Sequence, residues 1–565
     1  MPQGDPSTAA TPAPDDGSGP KRGTVAGAGA VDRRQFLRRT GMAGAALGSA
    51  ALLGSLAAAC GTGSGSSGSS TSTSTSGAAP PTSSTAPTGP PDWSALASSL
   101  TGSLVLPSNP AYGVDKELYN ERFDGIDPQA IAYCQSPADV QRCVDFARRS
   151  GLPLAARSGG HSYGGYSLCN GLVADVTRMA GVTVAADGTT ATVGAGARLI
   201  DVYGTLGQAG VVLPGGSCPT VGIAGLTLGG GVGVFGRNFG LTCDNLESID
   251  LVTADGRRLT CSAEDNQDLY WASRGGGGGN FGVATSFVFG VHPMPSIALF
   301  TLEWPWAAAG QVLGSWQQWV SGTPPALWSN CQLLSSGATG PTLRVTGVYC
   351  GSTSSLSGLV QGLVAAVGSA PTYRFVGPES YLDAMLIEAG CEGSTVAQCH
   401  LPSQTPTGTL SRAAFAAKSA YVDTALPDAG ATAVVGAVEQ LSRQLPQVGG
   451  GFVFDAYGGV INQVAAGDTA FVHRNALAGI QYSVTWPTGT PTSTVQTATT
   501  WLTAAQSALA PFVEGAYQNY IDPTLADWQQ AYYGSNLPRL IQVKQAADPD
   551  GFFRFAQSIP TAAAS

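Results

Sequence analysis

Two side chains with nucleophilic chemistry stand out by their surroundings. His161 sits in Arg157-Ser-Gly-Gly-His-Ser-Tyr-Gly-Gly-Tyr-Ser167, and Cys243 sits in Gly240-Leu-Thr-Cys-Asp-Asn-Leu246. An imidazole nitrogen and a thiolate sulfur can each bond covalently to an electrophilic carbon. Taken singly, a loop histidine reads as a surface or hydrogen-bonded residue and a cysteine as apolar filling. Three glycine runs nearby change that reading: Leu213-Pro-Gly-Gly-Ser-Cys-Pro-Thr-Val-Gly222, Gly225-Leu-Thr-Leu-Gly-Gly-Gly-Val-Gly-Val-Phe-Gly236, and Arg274 followed by five glycines and Asn280-Phe-Gly282. Glycine lets main-chain N–H groups come close to a phosphate or a flat ring. One such run reads as a tight turn. Three of them around a His loop and a Cys loop point to an extended cofactor wrapped in main chain and anchored by two nucleophiles.

Other chemistries fit poorly. No Cys-x-x-Cys or His-rich spacing suggests a metal site. Gly231-Val-Gly-Val-Phe-Gly236 fits the dinucleotide fingerprint, but that motif must follow a strand and open a helix. Arg237-Asn-Phe-Gly-Leu-Thr has no helical apolar periodicity, so a Rossmann reading is set aside.

The elements that must hold these loops alternate in type. Ser136-Pro-Ala-Asp139 is a helix start, with Ser as cap and Pro at the first position, and Val140, Val144 and Ala147 recur at helical spacing up to Gly151. Pro153–Ala156, Gly171–Val176, Thr190–Val193 and Ile249–Val252 read as strands, and Leu199–Leu206 as a helix. This is a mixed α/β domain. Residues 296–505 read as a second, substrate-binding lobe, in which Val312, Leu313, Trp316, Trp319 and Val320 have the spacing of a helix buried in a core.

The chain has 565 residues and a formal charge of −10, which argues against a nucleic-acid partner. Of its eleven cysteines, Cys391 and Cys399 are the best candidates for a local bridge, ahead of Cys134–Cys143 and Cys331–Cys350. At the front, Asp32-Arg-Arg-Gln-Phe-Leu-Arg38, an uncharged stretch over 41–59 and Leu56-Ala-Ala-Ala-Cys60 resemble a twin-arginine export signal with a lipoprotein cleavage box over residues 1–60. Residues 61–91 contain only Gly, Ser, Thr, Ala and Pro, and read as a flexible tether. The expectation is an extracellular or cell-envelope protein, with Cys60 as a candidate lipid-attachment site on the outer face of the membrane.

RSGGHSYGGYS, GSCPTVGIAGLTLGGGVG, GLTCDNL and WASRGGGGGNFGVATSF together resemble the flavin-binding domain of the vanillyl-alcohol-oxidase (PCMH-type) superfamily. The tail, with Asn519-Tyr520, Trp528-Gln-Gln-Ala-Tyr-Tyr-Gly-Ser-Asn-Leu-Pro-Arg-Leu540 and Asp548-Pro-Asp-Gly-Phe-Phe553, resembles the C-terminal segment of berberine bridge enzyme-like oxidases. The resemblance spans roughly residues 110–560 and implies an α/β (α+β) fold. Its parts would be a two-part FAD-binding domain over 92–295, an α+β substrate domain with a large antiparallel sheet over 296–505, and a segment at 506–565 returning to the FAD domain.

The resemblance also implies a bicovalent FAD, with His161 on the 8α-methyl carbon and Cys243 on C6. Gly159, Gly160, Ser162, Gly216, Ser217, Val221, Gly222, Gly225 and Val283 would line it, with Asn519 and Asn536 reaching it from the tail. Lys418–Tyr421, Tyr457–Gly459, Phe471–Arg474 and Gln481-Tyr482 resemble strands that face the flavin. Tyr520 stands where related oxidases place a catalytic tyrosine, with Tyr457 and Gln481 as helpers. A phenol with a pKa near ~10 needs a neighbouring cation or dipole to act as a base. Gly479 occupies the place where several plant members carry a glutamate, which weakens a carboxylate-base mechanism. Val221 matches a position that influences oxygen access. The expected function is an exported oxidase that oxidises an alcohol, sugar or secondary metabolite and passes electrons to O2. The alternatives are a dehydrogenase serving a quinone or membrane acceptor, and a tethered binding protein with a vestigial flavin.

Overall fold

The computed structural model describes residues 89–336 and 339–562. The twin-arginine pattern, Cys60 and nearly all of the tether therefore lie outside the described residues. Among the described residues no helix is long and apolar enough to cross a membrane.

The first lobe carries two sheets. Strands β1 (Ser103–Val105), β2 (Ala130–Tyr133), β3 (Leu154–Arg157) and β4 (Leu172–Asp175) form one in the order β1-β2-β4-β3, with β4 parallel to both β2 and β3. The parallel centre explains why every residue of β4 is buried. The helix Pro137–Ser150 crosses from β2 to β3 as its sequence predicts: Ser136 Oγ accepts from Asp139 N, and Gly151 ends the helix at φ 63°.

The following strands are β5 (Val182–Val184), β6 (Thr190–Gly194), the two-residue β7 (Val211–Val212), β8 (Leu246–Val252), β9 (Arg258–Ser262), β10 (Val283–Gly290) and the two-residue β11 (His292–Pro293). They give an antiparallel sheet ordered β5-β6-β10-β8-β9, and a small β7–β11 ribbon. The predicted strands and the helix over 199–206 are present, the helix running to Gln208. The Gly231–Gly236 run follows the helix Ile223–Leu228 and leads into a four-residue helix, so no strand enters it and the Rossmann reading stays excluded.

The second lobe is one antiparallel sheet of seven strands: β12 (Ile297–Glu303), β13 (Leu327–Ser336), β14 (Pro341–Cys350), β15 (Tyr373–Glu379), β16 (Ala414–Val422), β17 (Gly449–Ala456) and β18 (Ala478–Trp486), ordered β15-β12-β14-β13-β17-β18-β16. Alternation along the strands divides its faces. Ile480, Tyr482 and Val484 of β18, with Phe452 and Phe454 of β17, pack with side chains of four helices, Ala309–Ser321, Thr353–Val367, Asp428–Gln444 and Thr492–Leu509. Val312, Leu313, Trp316 and Val320 are buried there as predicted. Gly479, Gln481, Ser483 and Thr485 take the opposite face, which turns toward the first lobe.

Three sequence expectations change. Residues 381–399 belong to the first lobe's core: Tyr381, Ala384 and Met385 are buried with Tyr203 and Phe235, and the Cys391–Cys399 bridge is formed there. Cys134 and Cys143 are free thiols with sulfurs 3.8 Å apart. Cys331 and Cys350 are also free, because strand register sets Cys331 opposite Val345.

Candidate active site

The lobes enclose a cavity of about 590 Å³. One wall is loop main chain from the first lobe. The β3–β4 loop carries His161. It is fixed by Tyr119 N donating to Gly160 O at 3.1 Å and by Ser158 Oγ donating to Ala195 O at 2.6 Å, and Gly160 adopts φ +70°, a conformation that favours glycine. Below it, Arg157 pairs with Asp175 across the parallel strands, with both side chains buried.

The loop 213–222 faces His161. Leu199 N donates to Val221 O at 3.0 Å and Ile200 N to Pro219 O at 3.1 Å, tying the loop to the start of the helix Leu199–Gln208. The two loops touch. A Cβ on Gly159 would lie 2.1 Å from Gly222 N, and one on Gly222 would lie 2.1 Å from Ser158 Oγ. Gly159, Gly160, Ser162, Gly216, Ser217, Val221, Gly222, Gly225 and Val283 all line the cavity, as does Asn519. Gly225 meets nothing within 4 Å, so this part of the wall is open space bounded by main chain.

His161 is held tightly within this wall. Its ring stacks on Tyr119 at 4.2 Å, and its Nε2 lies 2.8 Å from Thr220 Oγ1. Burial, aided by the Arg198 charge, lowers its pKa to about 3, so the ring is neutral and nucleophilic at physiological pH.

The second expected nucleophile is a correction. Cys243 is fully buried and does not line the cavity. It packs in a cluster with Leu241, Tyr421, Tyr457, Phe471 and Tyr517, and burial followed by the Asp244 charge raises its pKa well above that of a free thiol. The cysteine that does line the cavity is Cys218, two residues from Thr220. It is accessible, although the surrounding walls desolvate it enough to raise its pKa. Its signal in the sequence is the Ser217-Cys-Pro219 step inside a glycine run.

Asn536 is a further correction. It lies outside the cavity, and its Nδ2 donates to the carbonyls of Ala466 at 2.7 Å and Thr469 at 3.1 Å, so its amide braces a loop. Phe471–Arg474 is likewise a loop rather than a strand, and Arg474 forms a buried pair with Asp244 at 2.7 Å beside Cys243. Asn519 holds the tail against the glycine wall, its Nδ2 donating to Leu226 O at 2.9 Å and to Tyr517 Oη at 2.8 Å.

The opposite wall is the polar face of the seven-stranded sheet, where Trp328, Phe415, Asp455, Gln481, Ser483 and Thr485 line the cavity. Gln481 Nε2 donates to Tyr163 Oη at 2.7 Å, and Tyr163 stacks on Tyr520 at 5.2 Å with planes 10° apart. Tyr457 stands behind this wall, in a small recess shared with Asp455, Gly479 and Tyr520. Tyr520 does not meet the condition for a base. Burial, then Tyr163, Asp455, Tyr517 and Tyr457, raise its pKa well above that of a free phenol.

Register supplies a carboxylate that sequence reasoning missed. Asp455 lies directly opposite Gly479 on β18 and opposite Asn330 on β13, and directly paired residues project from one face. A Cβ on Gly479 would sit 2.9 Å from the Tyr457 ring, so that position has no room for an acid. Burial raises the Asp455 pKa to about 7, against a lowering hydrogen bond from Asn330. The sequence signal was an acid at the polar step of an apolar alternating strand, Phe452-Val-Phe-Asp455.

The residues fit an extended flavin cofactor: a main-chain wall too close for side chains, a neutral imidazole and a thiol on that wall, and polar side chains opposite. Comparisons with known proteins agree. An FAD binding domain model matches residues 128–262, and a berberine and berberine-like model matches residues 516–560. The FAD-linked oxidoreductase YgaK of Bacillus subtilis (strain 168) is 32% identical over 467 residues, covering 82% of this chain and 97% of its own length. BBE-like 1 of Physcomitrella patens superposes with a TM-score of 0.76 at 32% identity, covering 83% of this chain and 99% of that one. A chitooligosaccharide oxidase superposes at 0.73 with 27% identity, covering 83% and 100%.

Proposed function

Because the chain belongs to the berberine bridge enzyme-like FAD-linked oxidoreductases, we propose that it is an exported oxidase carrying FAD bonded covalently to both His161 and Cys218. Its substrate is a small molecule with an oxidisable alcohol, sugar or secondary-metabolite C–H. The observation that carries this reading is the convergence of His161, Cys218, Gln481, Tyr520 and Asp455 on one cavity.

FAD held there would supply a two-electron sink for the substrate's hydride, with O2 as the final acceptor. His161 and Cys218 anchor it, and the glycine wall approaches it through main chain. Asp455, as carboxylate, takes the substrate hydroxyl proton, its pKa near 7 being suited to a general base at neutral pH. Tyr520 keeps its proton and donates a hydrogen bond to the substrate oxygen. Gln481 orients Tyr163, whose ring backs Tyr520. Val221, a small branched residue on the cavity wall, is the residue assigned to oxygen access.

Export by the twin-arginine route with a lipid on Cys60 completes the proposal. The Cys391–Cys399 disulfide supports an oxidising compartment. The test is a panel of alcohols and sugars offered to the purified holoenzyme, reading flavin bleaching without oxygen and peroxide with it. Stoichiometric peroxide is expected. Turnover that reduces a dye without forming peroxide would replace the oxidase reading with a dehydrogenase.

A further inference from the structure

The two nitrogens of His161 have different surroundings. Nε2 faces Thr220 Oγ1 at 2.8 Å, and that hydroxyl has no other hydrogen-bond partner among the described residues. Among the described residues Nδ1 has no hydrogen-bond partner, and it is not one of the buried unpartnered atoms, so it opens onto the cavity that His161 lines. Stacking on Tyr119 keeps the ring from turning over, and Thr220 is 1% exposed, in a loop pinned at Pro219 and Val221. A neutral imidazole carries one ring proton, and the bond made by one nitrogen decides which lone pair is free.

We propose that Thr220 is the positioning residue for flavin attachment. By accepting the Nε2–H of His161 it fixes the ring tautomer and leaves the Nδ1 lone pair free on the cavity side, where a flavin methyl carbon would be attacked. The inference rests on the covalent-flavin reading above. Attachment forms one C–N bond and breaks one methyl C–H and one ring N–H. The two hydrogens and their two electrons pass to dioxygen, which leaves as hydrogen peroxide. The hydroxyl suits both ends of this change. It accepts from Nε2–H beforehand and donates to the bare Nε2 lone pair of the alkylated ring afterwards. The low basicity of His161 favours loss of that last proton. A methyl group in the same place could do neither.

The test uses full-length holoenzyme and maps flavin by peptide mass spectrometry, cutting after arginine. Wild type should give a flavin that cross-links peptide 158–178, which holds His161, to peptide 199–237, which holds Cys218. Thr220→Val keeps the shape and removes the hydroxyl. It should attach flavin to 199–237 but lower the rate of attachment to 158–178 by about tenfold, the loss expected for one hydrogen bond made in the transition state. Thr220→Ser should restore the cross-link. Flavin on neither wild-type peptide would overturn the covalent reading itself. A normal cross-link in Thr220→Val, or a Thr220→Ser variant as defective as the valine, would overturn the role of Thr220 and leave the covalent reading standing.

Discussion

The two walls of the cavity are built on opposite principles. On the cofactor side, contact is made by main chain: Gly159 and Gly222 touch so closely that neither admits a Cβ, and Gly225 presents bare backbone to open space. On the sheet side, contact is made by side chains at alternate strand positions, Asp455, Gln481, Ser483 and Thr485. A main-chain wall binds whatever shape the backbone fits, and few substitutions could retune it. A side-chain wall can change its chemistry one residue at a time while the strands stay in register. On the proposed reading, the first wall holds the cofactor and the second chooses the substrate.

Substitutions can break this contrast in order of effect. Asp455→Asn should slow anaerobic flavin reduction by about 10²–10⁴-fold, the usual worth of a general base, while flavin content stays normal. Its pH profile is a second check. The carboxylate form is the active one, so kcat/KM in the native enzyme should rise with pH through about 7 and then level, and the variant should lose that limb. A variant that keeps the limb would place the base elsewhere.

On the other wall, Gly222→Ala forces a Cβ to within 2.1 Å of Ser158 Oγ and 2.3 Å of Gly159 N. It should lower stability by about 1–3 kcal/mol and deplete bound flavin, as read by thermal unfolding and by absorbance. The two cysteines separate next. Cys218→Ala should retain flavin through His161 alone. Cys243→Ala should keep both bonds and lose only about 1 kcal/mol of packing, and denatured-protein flavin fluorescence with peptide mapping distinguishes the two. Smallest is Gln481→Ala, which frees the Tyr163 hydroxyl and should reduce kcat/KM about two- to tenfold with no loss of flavin.

The same contrast explains what could be read from the amino acids. The main-chain wall was legible because close backbone approach demands glycine, and glycine runs are visible in one dimension. Helix caps were legible for the same local reason, as at Ser136 and Gly151. The substrate wall depends on which strand lies beside which. Asp455 and Gly479 are 24 positions apart, and only the β17–β18 register brings them face to face. Cys218 and Cys243 both sit in short glycine-flanked loops, and only the fold decides which loop faces the cavity. Asn536 lies in a recognisable tail motif, but its amide serves the 466–470 loop.

The tail has one more consequence. Tyr517 accepts hydrogen bonds from Gly231 N and Val232 N, Asn519 reaches Leu226, and Ile559 N donates to Asn280 Oδ1. These links close the glycine wall with residues that leave the ribosome after every other part of the cavity. The nascent chain therefore lacks these links until synthesis has passed residue 516. The glycine wall is thus completed across the chain, by a segment nearly three hundred residues away in sequence.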